Sequence, residues 1–153
     1  MLRLGLWAVA ILPLIAAAAD FEGRVVGIAD GDTLTVLHAR EQTKVRLAEI
    51  DAPEKAQPFG QRSRQSLAEL CAQQPVRVAD KGRDRYGRTI GRVWCAGVDA
   101  NAEQVRRGMA WVYDRYAADQ ALYALQAEAR AAHRGLWIDA HPVPPWEWRH
   151  ASR

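Results

Sequence analysis

The sequence contains few cysteines, few lysines and no apolar run of the length that usually spans a membrane. Its 2 cysteines and 4 histidines do not form the closely spaced groups that bind zinc, so the sequence does not predict a zinc site. The longest apolar run, Leu4 to Ile15, is broken by Pro13 and is short for a membrane span. Arginine strongly outnumbers lysine among the 21 basic residues, which suits phosphate recognition but also fits a bias in genome composition. The net charge of +3 is compatible with a polyanionic partner without requiring one.

The amino-terminal segment has the features of an export signal. Arg3 is the only charged residue before Asp20, an apolar run follows it, and Ala16–Ala19 offer small-residue cleavage sites. We therefore predict that residues 1–19 form a signal peptide and that the exported protein is periplasmic or secreted. An uncleaved membrane anchor is the alternative. In an oxidising compartment Cys71 and Cys95 are expected to form a disulfide, whereas in a cytosolic protein they would be buried thiols.

The remaining chain predicts one domain that is mainly β with α. Alternating apolar residues and turn signals predict five strands, at about 25–28, 34–38, 45–49, 76–79 and 89–95. Helices are predicted at about 61–73, 101–108 and 118–133, with Asn101 as the N-cap of the second helix. Five strands with a helix between the third and the fourth, followed by two C-terminal helices, is the order of an OB-fold barrel. We assign residues 20–140 to this domain and 141–153 to a Pro/Trp-rich tail, which is either a strap on the barrel or a loose end.

Four acidic residues lie at two predicted turns. Asp30 and Asp32 belong to the first turn, and Asp51 and Glu54 belong to the second. If the first three strands form a meander, the start of the second strand and the end of the third lie at one edge, so Asp32 and Asp51 can face one point. Two carboxylates with backbone carbonyls and water suit a hard cation such as Ca²⁺. Each turn, taken alone, is also typical of an ordinary hairpin or helix start.

Two arginines and three tyrosines accompany these acids. Arg46 lies in the third predicted strand and Arg88 follows a charged loop. Phosphate hydrolysis needs donors for the charge that grows on the phosphoryl oxygens, and arginine supplies two charge-assisted hydrogen bonds at once. Solvated arginines on a barrel rim are the alternative. Tyr86, Tyr113 and Tyr116 can stack on nucleobases, although Tyr113 and Tyr116 are equally suited to internal packing.

These motifs, read in order, resemble the thermonuclease (staphylococcal nuclease) family. The matching segments are Asp30-Gly31-Asp32-Thr33-Leu34, Arg46-Leu47 with Asp51-Ala52-Pro53-Glu54, Asp84-Arg85-Tyr86-Gly87-Arg88, Asn101 with Val105-Arg106-Arg107-Gly108, and Gly135-Leu136-Trp137. The resemblance extends from about Arg24 to Trp137. It implies a calcium-dependent nuclease that hydrolyses DNA and RNA at the 5′-oxygen and leaves 3′-phosphates.

The resemblance also implies a role for each matching residue. Asp32 and Asp51 would bind Ca²⁺ through their carboxylates and Ala52 through its backbone carbonyl. Glu54 would orient or deprotonate the attacking water, while Arg46 and Arg88 would bind the phosphate. Substrate contacts would come from a further set of residues: Arg85, Tyr86, Tyr113 and Tyr116.

The alternative function is a non-catalytic nucleic-acid-binding module of the same fold. A pure binder has no need for a set of three acids and two arginines of this kind, so their joint presence favours an enzyme. We expect DNA and RNA as substrates, no stable protein partner, a monomeric state, and no membrane association after removal of the leader.

Overall fold

The computed structural model describes residues 19–153, so the predicted signal peptide, apart from Ala19, lies outside the described residues. In chain order the elements are β1 (Phe21–Ile28), β2 (Thr33–His38), β3 (Glu41–Leu47), β4 (Ile50–Asp51), α1 (Gly60–Cys71), β5 (Pro75–Arg83), β6 (Thr89–Cys95), β7 (Val98–Asp99), α2 (Ala100–Arg106), β8 (Trp111–Val112), α3 (Gln120–Ala131), a short 3-10 helix (Gly135–Ile138) and α4 (Pro145–Ala151). None of the helices between residues 19 and 153 has the length and apolar content that a bilayer span requires.

Five of the strands close into a barrel. Antiparallel pairing runs in the order β3-β2-β1-β5-β6, and parallel pairing of β3 with β6 closes the ring, from Val45 opposite Thr89 to Leu47 opposite Gly91. Gly91 leaves room for the side chain of Val78 from β5, because a Cβ added there would lie 2.7 Å from a side-chain carbon of Val78. The predicted five-stranded barrel, with α1 between its third and fourth strands and with α2 and α3 after it, is confirmed.

The barrel core is formed by the inward-facing half of each strand. In β6 every second residue is buried, so one face of the strand lines the barrel interior. The aliphatic core includes Val25, Val36, Val45, Leu47, Leu67, Val78 and Val93. The predicted Cys71–Cys95 disulfide is present and joins the end of α1 to the end of β6 across a sequence separation of 24 residues.

One local prediction, the N-cap of α2, is corrected by the structure. The N-cap of α2 is Asp99 rather than Asn101, since the Asp99 carboxylate accepts the N–H of Ala102. Asn101 is instead fully buried one residue inside the helix. Its side-chain oxygen accepts the N–H of Val93 at 3.0 Å and its amide donates to the carbonyl of Ala48 at 2.9 Å. The amide thereby ties α2 to the barrel wall.

The Pro/Trp-rich tail is an ordered strap that contains a helix. Pro145 occupies the first turn of α4, where its missing N–H removes no intrahelical hydrogen bond. The side-chain amide of Gln57 donates to the carbonyl of Val143 at 2.7 Å and holds the segment before α4 against the loop that follows β4. Of the two alternatives for the tail, the strap is the one observed.

Candidate active site

Asp32 and Asp51 lie at one edge of the barrel, as the meander of the first three strands predicts. Thr33 pairs with Arg46, and the ladder continues one step further because the N–H of Leu47 donates to the carbonyl of Asp32 at 2.8 Å. Asp51 lies in β4, just beyond the end of β3. The Asp32 carboxylate accepts the N–H of Ala52 at 2.7 Å, which fixes the two acidic turns against each other.

Arg46 joins the two carboxylates. Its Nη2 lies 2.9 Å from Asp51 Oδ1 and 3.5 Å from Asp32 Oδ2. Its Nη1 donates to the backbone carbonyls of Leu47 and Ile50 at 3.2 and 3.0 Å. The guanidinium is therefore fixed by four contacts, and both carboxylates are within reach of a single nitrogen.

Negative charge is concentrated at this edge of the barrel. Burial and the neighbouring charge of Asp32 raise the pKa of Asp30 to about 6, although the Asp32 N–H donates to its carboxylate. Burial and the charge of Asp32 also raise the pKa of Asp51, against the opposite effect of its arginine partners. Groups whose ionised forms repel one another in this way favour the binding of a cation between them.

A close approach of α1 shapes the turn that carries Asp32. A Cβ added to Gly31 would lie 1.8 Å from the hydroxyl of Ser63, so only glycine fits here. The carbonyl of Gly31 accepts the buried side-chain amide of Gln104 from α2 at 2.7 Å. Two helices thus fix the backbone on which the Asp32 carboxylate is carried.

Glu54 lies at the mouth of this site. Its side chain is 41% exposed, so water can reach the carboxylate. Its backbone N–H donates to the side-chain oxygen of Gln57 at 3.1 Å, which fixes the start of the loop. A Cβ at Gly60 would lie 1.9 Å from the Glu54 carbonyl, so this loop packs tightly against the start of α1.

Arg88 reaches the same edge from the loop between β5 and β6. Its Nε donates to Asp84 Oδ2 at 2.7 Å, and its Nη1 lies 3.5 Å from the hydroxyl of Thr33. That hydroxyl donates to Asp32 Oδ1 at 3.0 Å, so a chain of polar contacts connects Arg88 to the carboxylate. Asp84 also accepts the N–H groups of Tyr86 and Arg88, and these bonds fix the loop conformation.

The four predicted substrate-contacting residues fall into two groups. Tyr86 is 68% exposed, and the guanidinium of Arg85 lies 4.8 Å from the centre of its ring. The rings of Tyr113 and Tyr116 meet edge to face at 5.0 Å. Tyr116 is exposed, whereas Tyr113 is partly covered by Trp146, whose ring is stacked on it at 5.2 Å between centroids.

Arg149, from α4, is a site residue that the sequence did not indicate. It donates to both carboxylate oxygens of Asp51 and to Glu54. Its partner Asp51 precedes it by 98 residues, so no local sequence pattern predicts this contact. Asp84 was recognised as part of a motif, but its function of holding Arg88 becomes evident only from the geometry.

The donor groups fit a hard cation. Between residues 19 and 153 there is no group of three or more His, Cys, Asp or Glu side chains arranged to hold a metal. A site here would use the carboxylates of Asp32 and Asp51 and the backbone carbonyl of Ala52, which are all oxygen ligands. Such a set, completed by water and substrate oxygens, suits Ca²⁺ better than a softer metal.

Comparisons with known proteins show the family of the chain. The family described as "Staphylococcal nuclease homologue" matches residues 44–139. An "Uncharacterized endonuclease" of Escherichia coli O157:H7 is 50% identical over 133 residues, which cover 86% of this chain and 87% of that protein. A "Micrococcal nuclease" of Shigella flexneri is 46% identical over 157 residues, covering 95% of this chain and 90% of that protein. With its barrel, its matched residues and these relatives, the chain belongs to the staphylococcal nuclease family.

Proposed function

We propose that the protein is a calcium-dependent nuclease that hydrolyses phosphodiester bonds of DNA and RNA at the 5′-oxygen and leaves 3′-phosphates. The observation that carries the proposal is the convergence of two buried carboxylates, two arginines and a water-accessible glutamate at one barrel edge. The nuclease names of the relatives support the same reaction class.

Asp32, Asp51 and the carbonyl of Ala52 would hold the calcium ion. Asp51 is 1% exposed and Asp32 is 5% exposed, so both carboxylates have lost most of their hydration and gain from a bound cation. A calcium ion bound there would polarise the phosphoryl oxygen and help to position the attacking water.

The remaining steps belong to side chains of this protein. Glu54 accepts a proton from the attacking water while the water oxygen forms a bond to phosphorus. Arg46 and Arg88 donate hydrogen bonds to the phosphoryl oxygens, where negative charge grows in the transition state. The bond between phosphorus and the 5′-oxygen breaks, and the 5′-oxygen takes a proton from solvent to leave as a hydroxyl. The phosphate stays on the 3′-oxygen.

Substrate binding would depend on phosphate contacts and stacking. Arg85 and Tyr86 form an exposed arginine–tyrosine pair beside Arg88, and Tyr113 and Tyr116 form an aromatic pair. Contacts of these kinds carry little sequence information and serve both DNA and RNA. We propose that the protein cleaves single-stranded or loosened substrates without strong sequence preference.

The test is cleavage of denatured DNA by the mature protein in the presence of calcium or of EGTA, with Glu54→Gln as the matched variant. Glutamine keeps the size and hydrogen bonding of Glu54 but removes the base, so turnover should fall about 10²–10⁴-fold. Calcium affinity, measured by calorimetry, should remain within about tenfold of the parent, because binding and transition-state contacts are largely separate here. Full cleavage in EGTA, or normal turnover by Glu54→Gln, would contradict the mechanism and favour reassignment of the site.

We also propose that the protein is exported and acts as a monomer. The disulfide between Cys71 and Cys95 supports an oxidising compartment. The proposed leader, residues 1–19, can be tested by mass spectrometry of the exported protein, where a chain that retains Met1 would contradict its removal.

A further inference from the structure

The C-terminal segment, residues 142–152, lies across the candidate active site and contacts it at two points. Arg149 reaches the carboxylates and Trp146 covers an aromatic ring at the site's edge. The two residues are three positions apart in α4, so they project from the same side of the helix. Gln57 fixes the segment before the helix, and the same side chain accepts the N–H of Glu54.

Arg149 occupies hydrogen-bonding positions that a cation would need. Its Nη2 lies 2.7 Å from Asp51 Oδ2, and its Nη1 lies 3.2 Å from Asp51 Oδ1 and 2.8 Å from Glu54 Oε1. Arg46 already donates to Asp51 Oδ1, so both oxygens of this carboxylate are engaged by arginines. A calcium ion on Asp51 and the guanidinium of Arg149 therefore compete for the same oxygen lone pairs.

Trp146 occupies an aromatic face that a nucleobase would need. Its ring is nearly parallel to that of Tyr113, with an interplanar angle of 6° and 5.2 Å between centroids. It also meets Trp111 edge to face, with 5.8 Å between ring centroids. A base that stacked on the same face of Tyr113 would have to displace this indole.

We propose that the C-terminal segment is an autoinhibitory plug, in which Arg149 takes the place of the metal cation and Trp146 takes the place of a nucleobase. Calcium and single-stranded nucleic acid would open it by binding to the groups that it covers. The proposal rests on the proposed function, because the two ligands that displace the plug are the cation and the substrate of that function. Opening also frees Glu54 to accept a proton from water.

The fraction of time for which the plug covers the site determines how much it lowers the apparent affinity for calcium. A site that is covered about 90–99% of the time binds its ligand about 10–100-fold more weakly than the open site. Removal of either plug contact should therefore tighten calcium binding. Loss of the Arg149 charge alone also favours cation binding, so the diagnostic variant is Trp146→Ala, which changes no charge and would weaken binding if it only damaged the fold.

The experiment is a calorimetric titration of calcium into the full mature protein and its Arg149→Ala and Trp146→Ala variants. The matched control is Arg153→Ala, which removes the same charge from an exposed position just beyond α4. We expect calcium affinity to rise about tenfold or more in Arg149→Ala, and in the same direction in Trp146→Ala, and to stay unchanged in Arg153→Ala. Circular dichroism confirms that each variant is folded.

A second readout separates the plug from the opposite role for Arg149, in which it binds substrate phosphate. Binding of a short single-stranded oligodeoxynucleotide is measured in EGTA, where it is not cleaved. The plug requires equal or tighter binding by Arg149→Ala, whereas a phosphate ligand requires weaker binding. Weaker oligonucleotide binding by Arg149→Ala, or calcium affinity in either Arg149→Ala or Trp146→Ala that is no higher than in the parent, overturns the plug.

The same titrations distinguish a failure of the plug from a failure of the proposed function. If the parent binds calcium and cleaves DNA, but Arg149→Ala gains no calcium affinity, only the plug is overturned. If neither protein binds calcium or cleaves DNA, the proposed function is overturned together with the plug.

Discussion

Arg88 is positioned by a single acidic residue, and this arrangement determines how replacement of the arginine should act. Asp84 engages the Nε of Arg88 at 2.7 Å, while Nη1 extends towards Thr33 and the edge that carries Asp32. One side of the guanidinium is thus held by the loop and the other is directed at the proposed phosphate position. A lysine cannot make both contacts, because its single ammonium group lacks the planar fork.

We therefore expect Arg88→Ala to lower turnover on denatured DNA by about 10²–10³-fold, as loss of a transition-state donor does. Arg88→Lys should recover little of this loss, and calcium affinity by calorimetry should stay within about tenfold of the parent in both variants. Arg106→Ala, which removes an exposed arginine of α2, is the control and should keep normal turnover. Normal turnover by Arg88→Ala would exclude a transition-state contact.

Asp84 should make stability depend on pH. Partial burial opposes ionisation, but hydrogen bonds from the Arg88 side chain and from the N–H groups of Arg88 and Tyr86 outweigh it and lower the pKa of Asp84 below its usual value. The ionised carboxylate therefore stabilises the folded state at neutral pH. This contribution is complete above the unfolded-state pKa of about 3.9 and is lost as pH falls through the lower folded-state value.

Asp84→Asn is accordingly expected to reduce the free energy of unfolding at pH 7 by about 1 kcal/mol, the usual net value of a hydrogen bond. The difference from the parent should shrink as pH falls below about 4, since the parent then loses the same charge. Urea denaturation at pH 7 and pH 3 measures both values. Asp20→Asn serves as the control at an exposed position, and an unchanged difference for Asp84→Asn at pH 3 would contradict the linkage.

The secondary-structure elements that alternation and turn residues determine were predictable from the sequence. The observed bounds of β6, 89–95, are the predicted ones, because a charged loop before the strand and a turn after it mark both ends in the sequence. The turn with Asp32 and the turn with Asp51 were expected at one edge because a three-strand meander brings them together, and the register of β2 with β3 does so.

Elements stabilised by distant contacts were not predictable. α4 is 7 residues long, too short to be indicated by periodicity, and its anchor Arg149 bonds to a residue 98 positions earlier. Asn101 resembles an N-cap in sequence, yet its amide is used between Val93 and Ala48. In both cases the hydrogen-bond partners belong to other elements, so residue type and local spacing do not predict these contacts.

The disulfide is a contact between elements with a predictable effect. It joins α1 to β6 and closes a loop with a separation of 24 residues. Constraint of the unfolded chain should stabilise the protein by about 3–4 kcal/mol by the chain-entropy argument. A Cys71→Ala/Cys95→Ala double variant should have a free energy of unfolding that is lower by about this amount, as measured by urea denaturation. It should keep the calcium affinity of the parent, because the bridge lies away from Asp32 and Asp51. Equal stability of the two proteins would contradict the estimate.

The whole molecule assembles the candidate active site from segments that are remote in sequence. Asp32 comes from the turn before β2, Asp51 from β4 and Arg88 from the loop before β6. The pairing of β2 with β3 places Asp32 beside Arg46, and closure of the barrel through β3 and β6 brings the loop of Arg88 to the same edge. An unfolded chain has no such arrangement, so a cation that binds here binds the folded state alone and must stabilise it.

We expect calcium at about 100 times its dissociation constant to raise the free energy of unfolding by about 2.7 kcal/mol. Asp32→Ala removes a proposed ligand and should lose most of this increase, together with cleavage activity. Glu54→Gln, which is assigned to the water and not to the metal, should keep the increase while losing turnover. Urea denaturation of the three proteins, each in calcium and in EGTA, gives the comparison. A full calcium-dependent increase in Asp32→Ala would show that the cation binds elsewhere, and loss of the increase in Glu54→Gln would make Glu54 a metal ligand instead of the base.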